Sequence, residues 1–128
     1  MTRNSISPSL EDYLEAVLKL ADADSSTRIT DIATELGVSK ASVNQAIGLL
    51  SERGLVTQER YGPIYLTADG KVRAVAIYRR HQVIKEFLMK ILGVEEHTAE
   101  EDACSIEHVI SKETMARLVE YMEKEMGT

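Results

Sequence analysis

Residues 30–54 read TDIATELGVSKASVNQAIGLLSERG, two short amphipathic runs that are separated by Gly37 and closed by Gly54. Glycine is favoured directly after a helix, because it adopts a left-handed backbone without a steric penalty. Ser39 precedes the second run, where a serine side chain commonly caps a helix. The stretch therefore predicts a helix-turn-helix, with helices over residues 30–36 and 40–53. Its apolar residues have the spacing that packs two helices across a turn: Ile32, Ala33, Leu36, Val38, Val43, Ile47 and Leu50.

A β-hairpin is predicted directly after the second helix. Residues 55–59 and 64–66 read as two short strands, and the Arg60-Tyr61-Gly62-Pro63 segment between them has turn chemistry. A helix-turn-helix followed by a hairpin is a winged helix-turn-helix. The predicted fold class is therefore mainly α with a small β wing.

Four further helices are predicted from apolar periodicity and capping residues. One helix precedes the helix-turn-helix, over residues 9–22, with Ser9 as its cap. A long helix follows the wing over residues 68–92, with Thr67 as its cap and Gly93 at its end. A fifth helix is predicted over residues 98–110, and Ser111 caps a sixth.

Composition narrows the class of protein. The chain has 128 residues and one cysteine, so it forms no internal disulfide, which fits a reducing compartment. No apolar run approaches the roughly 18 residues that a membrane-spanning helix needs, and the first residues lack the apolar core of a signal peptide. We therefore expect a cytoplasmic protein without a membrane partner.

The net charge of -6 argues against a nucleic-acid partner unless the acidic residues are gathered locally. They are gathered, in two segments of the chain. Carboxylates this dense repel each other unless water or a bound cation screens them. At this point two interpretations remain open: two solvated acidic faces, or a site for a bound cation. The acidic residues are Glu11, Asp12 and Glu15 in one segment, and Glu95, Glu96, Glu100, Glu101, Asp102 and Glu107 in the other.

The segment Cys104-Ser105-Ile106-Glu107-His108 offers a thiolate, a carboxylate and an imidazole at positions i, i+3 and i+4. On a helix these side chains share one face, and all three are good ligands for a divalent transition metal. Without a metal, the same residues would be a buried thiol beside two solvated polar groups. Asp12 and Glu15 are one helical turn apart on the first helix, and the long helix carries His81. These separate clusters together indicate a metal site.

The exposed start of the second helix has the side chains that read DNA. Short hydroxyls reach phosphates, glutamine suits an adenine edge, and alanine can contact a thymine methyl group. A basic residue in the wing could lie against the backbone beside this helix. The candidate DNA-binding residues are Ser39, Lys40, Ala41, Ser42, Asn44, Gln45 and Arg60.

The sequence resembles the metal-dependent repressors of the diphtheria toxin repressor and manganese transport regulator type. The similarity covers nearly the whole chain, in order and with compatible spacing. The segments that carry it are LEDYLE at 10–15, IATELGVS at 32–39, SVNQ at 42–45, GLV at 54–56, LTADG at 66–70, YRRH at 78–81 and ACSIEHV at 103–109.

The resemblance implies a homodimeric repressor that binds a palindromic operator in double-stranded DNA when a metal is bound. It implies a winged helix-turn-helix DNA-binding domain over residues 1–70 and a helical metal-binding and dimerisation domain over residues 71–128. The chain stops at Thr128, so we expect a short form without the SH3-like third domain of longer members.

Carried over residue by residue, the resemblance also implies a ligand set. Glu100 occupies a position where some members place a second-site ligand, whereas position 85, often Glu in the family, is Lys85 here. Asp12 resembles the manganese-responsive branch and Cys104 the iron-responsive branch. We therefore prefer Fe²⁺ or Mn²⁺ as the ion, with Zn²⁺ possible. The implied ligands are Asp12, Glu15, His81, Glu100, Cys104, Glu107 and His108.

Two alternatives stay open at the level of sequence. A winged-helix regulator that senses an organic ligand or a protein partner would bind DNA with metal removed. A helical metalloenzyme could also use carboxylates and histidines on facing helices. Its usual motif is Glu-x-x-His, however, and here Glu107 and His108 are adjacent. Since no nucleophile-base pair or glycine-rich phosphate loop is present either, we do not expect an enzyme.

Overall fold

The structure is a computed structural model that describes residues 6–60 and 62–126. The chain forms two compact units, one ending at Ala76 and the other beginning at Ile77. The elements of the described residues, in chain order, are α1 (Pro8–Leu20), β1 (Ser26–Thr27), α2 (Ile29–Leu36), α3 (Lys40–Glu52), β2 (Val56–Gln58), β3 (Ile64–Leu66), α4 (Ala68–Glu86) with a π-helical continuation (Phe87–Ile91), α5 (Glu96–Ile106) and α6 (Lys112–Met126).

The predicted helix-turn-helix is present as α2 and α3. Gly37 ends α2 with a φ of 65°, in the left-handed region that favours glycine. Ser39 caps α3, and its Oγ accepts a hydrogen bond from the Ser42 amide at 3.1 Å. The apolar spacing was also informative, although Val38 in the turn is 38% exposed rather than packed. Four of the predicted core residues are at most 1% exposed: Ile32, Val43, Ile47 and Leu50.

Two predicted helix starts were wrong. Ser7, not Ser9, caps α1, and its Oγ accepts a hydrogen bond from the Leu10 amide at 3.1 Å. Pro8 then fits the first turn, because an amide hydrogen at that position would have no hydrogen-bond acceptor within the helix. The helix α2 begins at Ile29 rather than at residue 30, and Arg28 at its cap position makes no side-chain cap hydrogen bond.

The sheet has one strand more than the predicted hairpin. The hairpin itself is present, with β2 and β3 antiparallel and Thr57 opposite Tyr65. The third strand, β1, pairs antiparallel with β3, and Ser26 lies opposite Tyr65. The sheet order is β1-β3-β2. No strand was predicted here, because Ser26 and Thr27 carry no local strand signal and their pairing comes from tertiary contacts.

The start of α4 is fastened to the end of α3. Thr67 caps α4 as predicted, and its Oγ1 accepts from the Gly70 amide at 2.9 Å while donating to the Gly54 carbonyl oxygen at 2.7 Å. The Thr67 amide donates to the Leu55 carbonyl oxygen at 3.1 Å. At Gly70 a Cβ would overlap that same carbonyl oxygen and lie 2.8 Å from its carbon. Only glycine lets α4 pass this close to the Leu55 backbone.

The second unit packs the end of α4 with α5 and α6. Edge-to-face contact between Phe87 and Tyr121, with ring centroids 6.2 Å apart, links α6 to the π-helical turn that replaces the last predicted turns of α4. The core residues are Ile84, Ala103 and Met115, with Val83, Leu88, Ile106, Ile110, Leu118 and Val119 packed around them.

The ends of α5 differ from the prediction of a helix over residues 98–110. Glu95 caps the helix by accepting from the Thr98 amide at 2.8 Å, so α5 begins at Glu96. It ends at Ile106, which places Glu107 and His108 in the turns that follow. Within the described ranges, no helix is both long and apolar enough to cross a membrane.

Candidate metal centre and nucleic-acid interface

The imidazole of His81, on α4, lies between two carboxylates of the second unit. Its Nδ1 is 2.9 Å from Glu107 Oε1, and its Nε2 is 2.8 Å from Glu100 Oε2. His81 is 5% exposed and Glu107 is 2% exposed, whereas the Glu100 side chain is 44% exposed. The two ring nitrogens therefore face one buried carboxylate and one that is open to solvent.

These carboxylates fix the protonation state of the metal-free site. The hydrogen bond to Glu107 raises the pKa of His81 to about 9; burial opposes this shift, and Glu100 adds to it. At neutral pH the metal-free ring is therefore an imidazolium that donates one N–H to each carboxylate. A metal ion competes with this proton, because a histidine ligand must be neutral.

Glu107 has one buried oxygen that the protein leaves unsatisfied. Its Oε1 accepts from His81, but its Oε2 is buried and has no hydrogen-bond partner among the described residues. A buried acceptor without a partner costs about 1–3 kcal/mol, and more when the group is charged. A cation bound at this oxygen would remove that cost. The donor chemistry around Glu107 therefore fits a metal ion.

Cys104 and His108 form a second pair of ligand-type side chains. The Cys104 side chain is exposed, and the ligand atoms of Cys104 and His108 lie within 4.8 Å of each other. The backbone keeps them together beyond the end of α5, because Glu107 retains right-handed helical angles and the His108 amide donates to the Ser105 carbonyl oxygen at 3.4 Å. The shared face predicted from the spacing is preserved in this turn.

Glu100 is held by a second cation in addition to His81. The Lys85 Nζ is 3.0 Å from Glu100 Oε1 and 3.7 Å from Glu96 Oε2. Burial raises the pKa of Glu100, but hydrogen bonds to His81 and Lys85 outweigh it and lower that pKa overall. The hydrogen bond to Glu100 is also the main reason that the pKa of Lys85 is raised. Both partners therefore stay ionised at neutral pH.

The remaining implied ligands lie on α1, in the first unit. Glu15 is 8% exposed, and Asp12 is half-buried. They are three residues apart on one side of the helix. The structure thus joins His81, Glu100 and Glu107 in one network, and Cys104 and His108 in a pair.

The first unit exposes the residues that were predicted to read DNA. One of them has a structural task, since the Ser39 hydroxyl donates to Ser42 Oγ at 3.0 Å and caps α3. The Ser42 hydroxyl proton is not used in this pair, so it could donate to a phosphate. The exposed residues are Ser39, Lys40, Ala41, Ser42, Asn44 and Gln45 on α3, and Arg60 in the hairpin turn.

A groove of about 450 Å³ lies between the start of α3 and the wing. It contains two basic side chains, Arg28 and Lys40, and none of the described residues that line it is acidic. The Gln58 Nε2 donates to the Gly62 carbonyl oxygen at 3.3 Å and so braces the hairpin turn beside the groove. Sequence reasoning missed Arg28, although a basic residue just before the first helix of the motif was a usable signal. The groove is lined by Arg28, Ile29, Thr30, Lys40, Asn44, Gln58 and Gly62.

Comparison with known families assigns both parts of the chain. Residues 5–64 match the family described as "Iron dependent repressor, N-terminal DNA binding domain". Residues 67–125 match the family described as "Iron dependent repressor, metal binding and dimerisation domain". An uncharacterised HTH-type transcriptional regulator of Methanocaldococcus jannaschii is 38% identical over 120 residues, which cover 93% of this chain and 96% of that protein.

Solved structures agree with this assignment. The IdeR protein of T. acidophilum superposes with a TM-score of 0.77 at 26% identity, over 92% of this chain and 55% of that one. The manganese regulator SloR superposes with a TM-score of 0.79 at 29% identity, over 92% of this chain and 55% of SloR. The chain thus spans about half the length of these two solved structures.

Proposed function

The chain belongs to the iron dependent repressor family and is a metal-responsive transcriptional repressor, and from that premise we propose which of its residues hold the ion. The observation that carries the proposal is the buried, unsatisfied Oε2 of Glu107 beside His81. When bound, the ion supplies a multivalent positive charge that several donor atoms share. The proposed ligands are Asp12, Glu15, His81, Cys104, Glu107 and His108.

Glu100 has a different task in this proposal. It is already paired with His81 and Lys85, and so it serves as the hydrogen-bond acceptor for one ring N–H of His81. Carboxylates commonly stand behind metal-bound histidines in this way, because they fix the ring orientation and make the ligand more basic. The choice of ion follows the donors: oxygen ligands favour Mn²⁺, and the Cys104 thiolate favours Fe²⁺ or Zn²⁺. We propose Fe²⁺ or Mn²⁺ as the physiological ion.

The ligand positions offer a route from the ion to DNA. α1, which carries Asp12 and Glu15, packs against α2 and α3. Without an ion the ligand carboxylates repel each other, which disfavours the ligand arrangement that DNA binding requires. Metal binding shifts the population toward the arrangement that binds DNA only if the ligands hold the ion more tightly in that arrangement than in the others. In a homodimer bound to a palindromic operator, two copies of α3 must read half-sites about 34 Å apart.

A cobalt titration of the purified protein tests the ligand set. We expect Co²⁺ to bind and to produce a thiolate-to-cobalt charge-transfer absorption, because Cys104 is the single cysteine of the chain. The absorption should disappear in Cys104→Ser, while Ser105→Ala, next to it on α5, should retain it. If Co²⁺ does not bind to the wild-type protein, or if Cys104→Ser retains the absorption, the ligand assignment is wrong.

The same titration should depend on pH in a defined direction. Since the metal-free His81 has a pKa of about 9, its proton opposes binding at every lower pH. Loss of the His81 proton alone makes the affinity rise about tenfold for each pH unit up to that value, and loss of the Cys104 thiol proton makes the rise steeper. His97→Gln, at an exposed histidine on α5, should show the same slope as the wild type. An affinity that is unchanged between about pH 7.5 and 6 would exclude His81 as a ligand.

The groove beside α3 predicts which basic residues contact phosphate. We expect Arg28→Ala and Lys40→Ala each to weaken binding to a DNA duplex selected from a random library with Mn²⁺ present. Each should reduce the slope of log affinity against log salt by about one, because one counterion fewer is released. Lys19→Ala is the control, since Lys19 pairs with Glu35 on the surface at 3.7 Å. An unchanged slope in either groove variant would exclude that residue as a phosphate contact.

A further inference from the structure

Lys85 lies one helical turn after His81, and both side chains meet the same segment of α5. The Lys85 Nζ is 3.0 Å from Glu100 Oε1 and 3.7 Å from Glu96 Oε2, and Glu100 Oε2 is 2.8 Å from His81 Nε2. The Lys85 side chain is 20% exposed, against 44% for Glu100 and 74% for Glu96. The Lys85 side chain is therefore less exposed than that of Glu96 or Glu100, and its ammonium lies between the two carboxylates.

The groups around Lys85 are those that bind divalent ions. The carboxylates of Glu96 and Glu100 contact its ammonium, and Glu100 also bonds the Nε2 of His81, on the ring edge opposite to Glu107. Carboxylate oxygens are ligands for Mn²⁺, Fe²⁺ and Zn²⁺ alike. A carboxylate in place of the ammonium would add a further oxygen donor and remove the positive charge that repels a metal ion.

We propose that the Lys85 ammonium occupies the place of a second divalent cation, and so sets the number of ions that each subunit binds. The inference rests on the proposed function, because it assigns the metal to the Glu107 side of His81. Lys85 neutralises Glu100 at every metal concentration, whereas a second ion would do so only when that metal is abundant. The hydrogen bond from His81 to Glu100 then forms without any metal ion. The response to metal depends only on the ion bound on the Glu107 side of His81.

The test counts metal ions in a charge-reversed variant. Wild-type protein, Lys85→Glu and Lys85→Arg are equilibrated by dialysis against excess Co²⁺, and cobalt per chain is measured by elemental analysis. We expect Lys85→Glu to bind one more ion per chain than the wild type, and Lys85→Arg to bind the same number as the wild type. The extra ion should be lost in the double variant Lys85→Glu/Glu100→Gln, which removes a donor from the new site.

A second measurement, the thermal midpoint of unfolding, tests whether the Lys85→Glu variant folds. Without metal, Lys85→Glu brings three carboxylates together, and we expect a lower thermal midpoint that Co²⁺ raises again. If this variant does not fold in the absence of metal, Lys85→Gln is counted instead, with the extra ion again expected. A folded variant that binds no more cobalt than the wild type would overturn the inference. Wild-type protein that binds no cobalt would overturn the proposed function, while the difference between variant and wild type still tests Lys85.

Discussion

Glu107→Gln should lower the affinity for Mn²⁺ or Co²⁺ by more than about 100-fold, which exceeds the usual loss from substitutions behind a ligand. The amide keeps the size of the side chain but removes the charge that would hold the ion. It also replaces the buried, unsatisfied Oε2 with a group that binds metal ions poorly. Metal-dependent binding to the selected DNA duplex should be lost as well. Metal titration and DNA titration of the same preparation measure the two effects.

Glu101→Gln is the matched control, because this residue lies on α5, shortly before Glu107, and its side chain is 68% exposed. It should change neither titration. A separate readout in metal-free protein is the pKa of His81, measured by NMR. Since the hydrogen bond to Glu107 is the main reason that this pKa is about 9, it should fall clearly in Glu107→Gln. Wild-type metal affinity in Glu107→Gln would contradict the ligand assignment, even if the pKa of His81 had fallen.

The largest expected effect on stability comes from Gly70→Ala in the first unit. A Cβ at this position overlaps the Leu55 carbonyl oxygen, and the contact is with backbone, which cannot rotate away. Overpacking of this kind costs about 1–3 kcal/mol, and we expect the upper end of the range. The intrinsic helix preference for alanine returns about 1 kcal/mol at most, so the net change remains destabilising. Urea unfolding followed by circular dichroism measures this loss.

Gly48→Ala provides the opposite case. Gly48 lies within α3, and a Cβ there would meet no atom within 4 Å. Alanine should therefore raise the free energy of unfolding by about 0.5–1 kcal/mol, through helix propensity and a less flexible unfolded chain. If Gly70→Ala were as stable as the wild type, the close approach of α4 to Leu55 would be wrong.

Local signals were enough to predict the helix-turn-helix and its wing. Glycine at position 37, serine at position 39 and the apolar spacing of α2 and α3 each act within a few residues, so the sequence alone determines them. The same holds for Thr67 as the cap of α4. The strand β1 was missed for the opposite reason, because Ser26 and Thr27 become a strand only when β3 is beside them.

The candidate site was predicted residue by residue but not as a network. Spacing indicates that Cys104 and His108 share a face, and the structure keeps their ligand atoms within 4.8 Å. The sequence does not say which side chain of α4 meets which side chain of α5. The bonds from His81 to Glu100 and Glu107, and the pairing of Lys85 with Glu100, depend on how those helices pack. Whether Arg28 lines the groove between α3 and the wing depends on tertiary packing in the same way.

The unsatisfied oxygen of Glu107 also bears on how this protein responds to selection. A buried ion pair with one acceptor left unused weakens a fold more than an apolar side chain of similar volume would. Replacing Glu107 alone would leave the buried His81 charge without this partner and weaken the fold, so selection for thermal stability alone would favour replacing Glu107 and His81 together, and such variants would lose their response to metal. A screen for stabilised variants should thus enrich substitutions at positions 81 and 107 together, which separates residues kept for regulation from residues kept for folding.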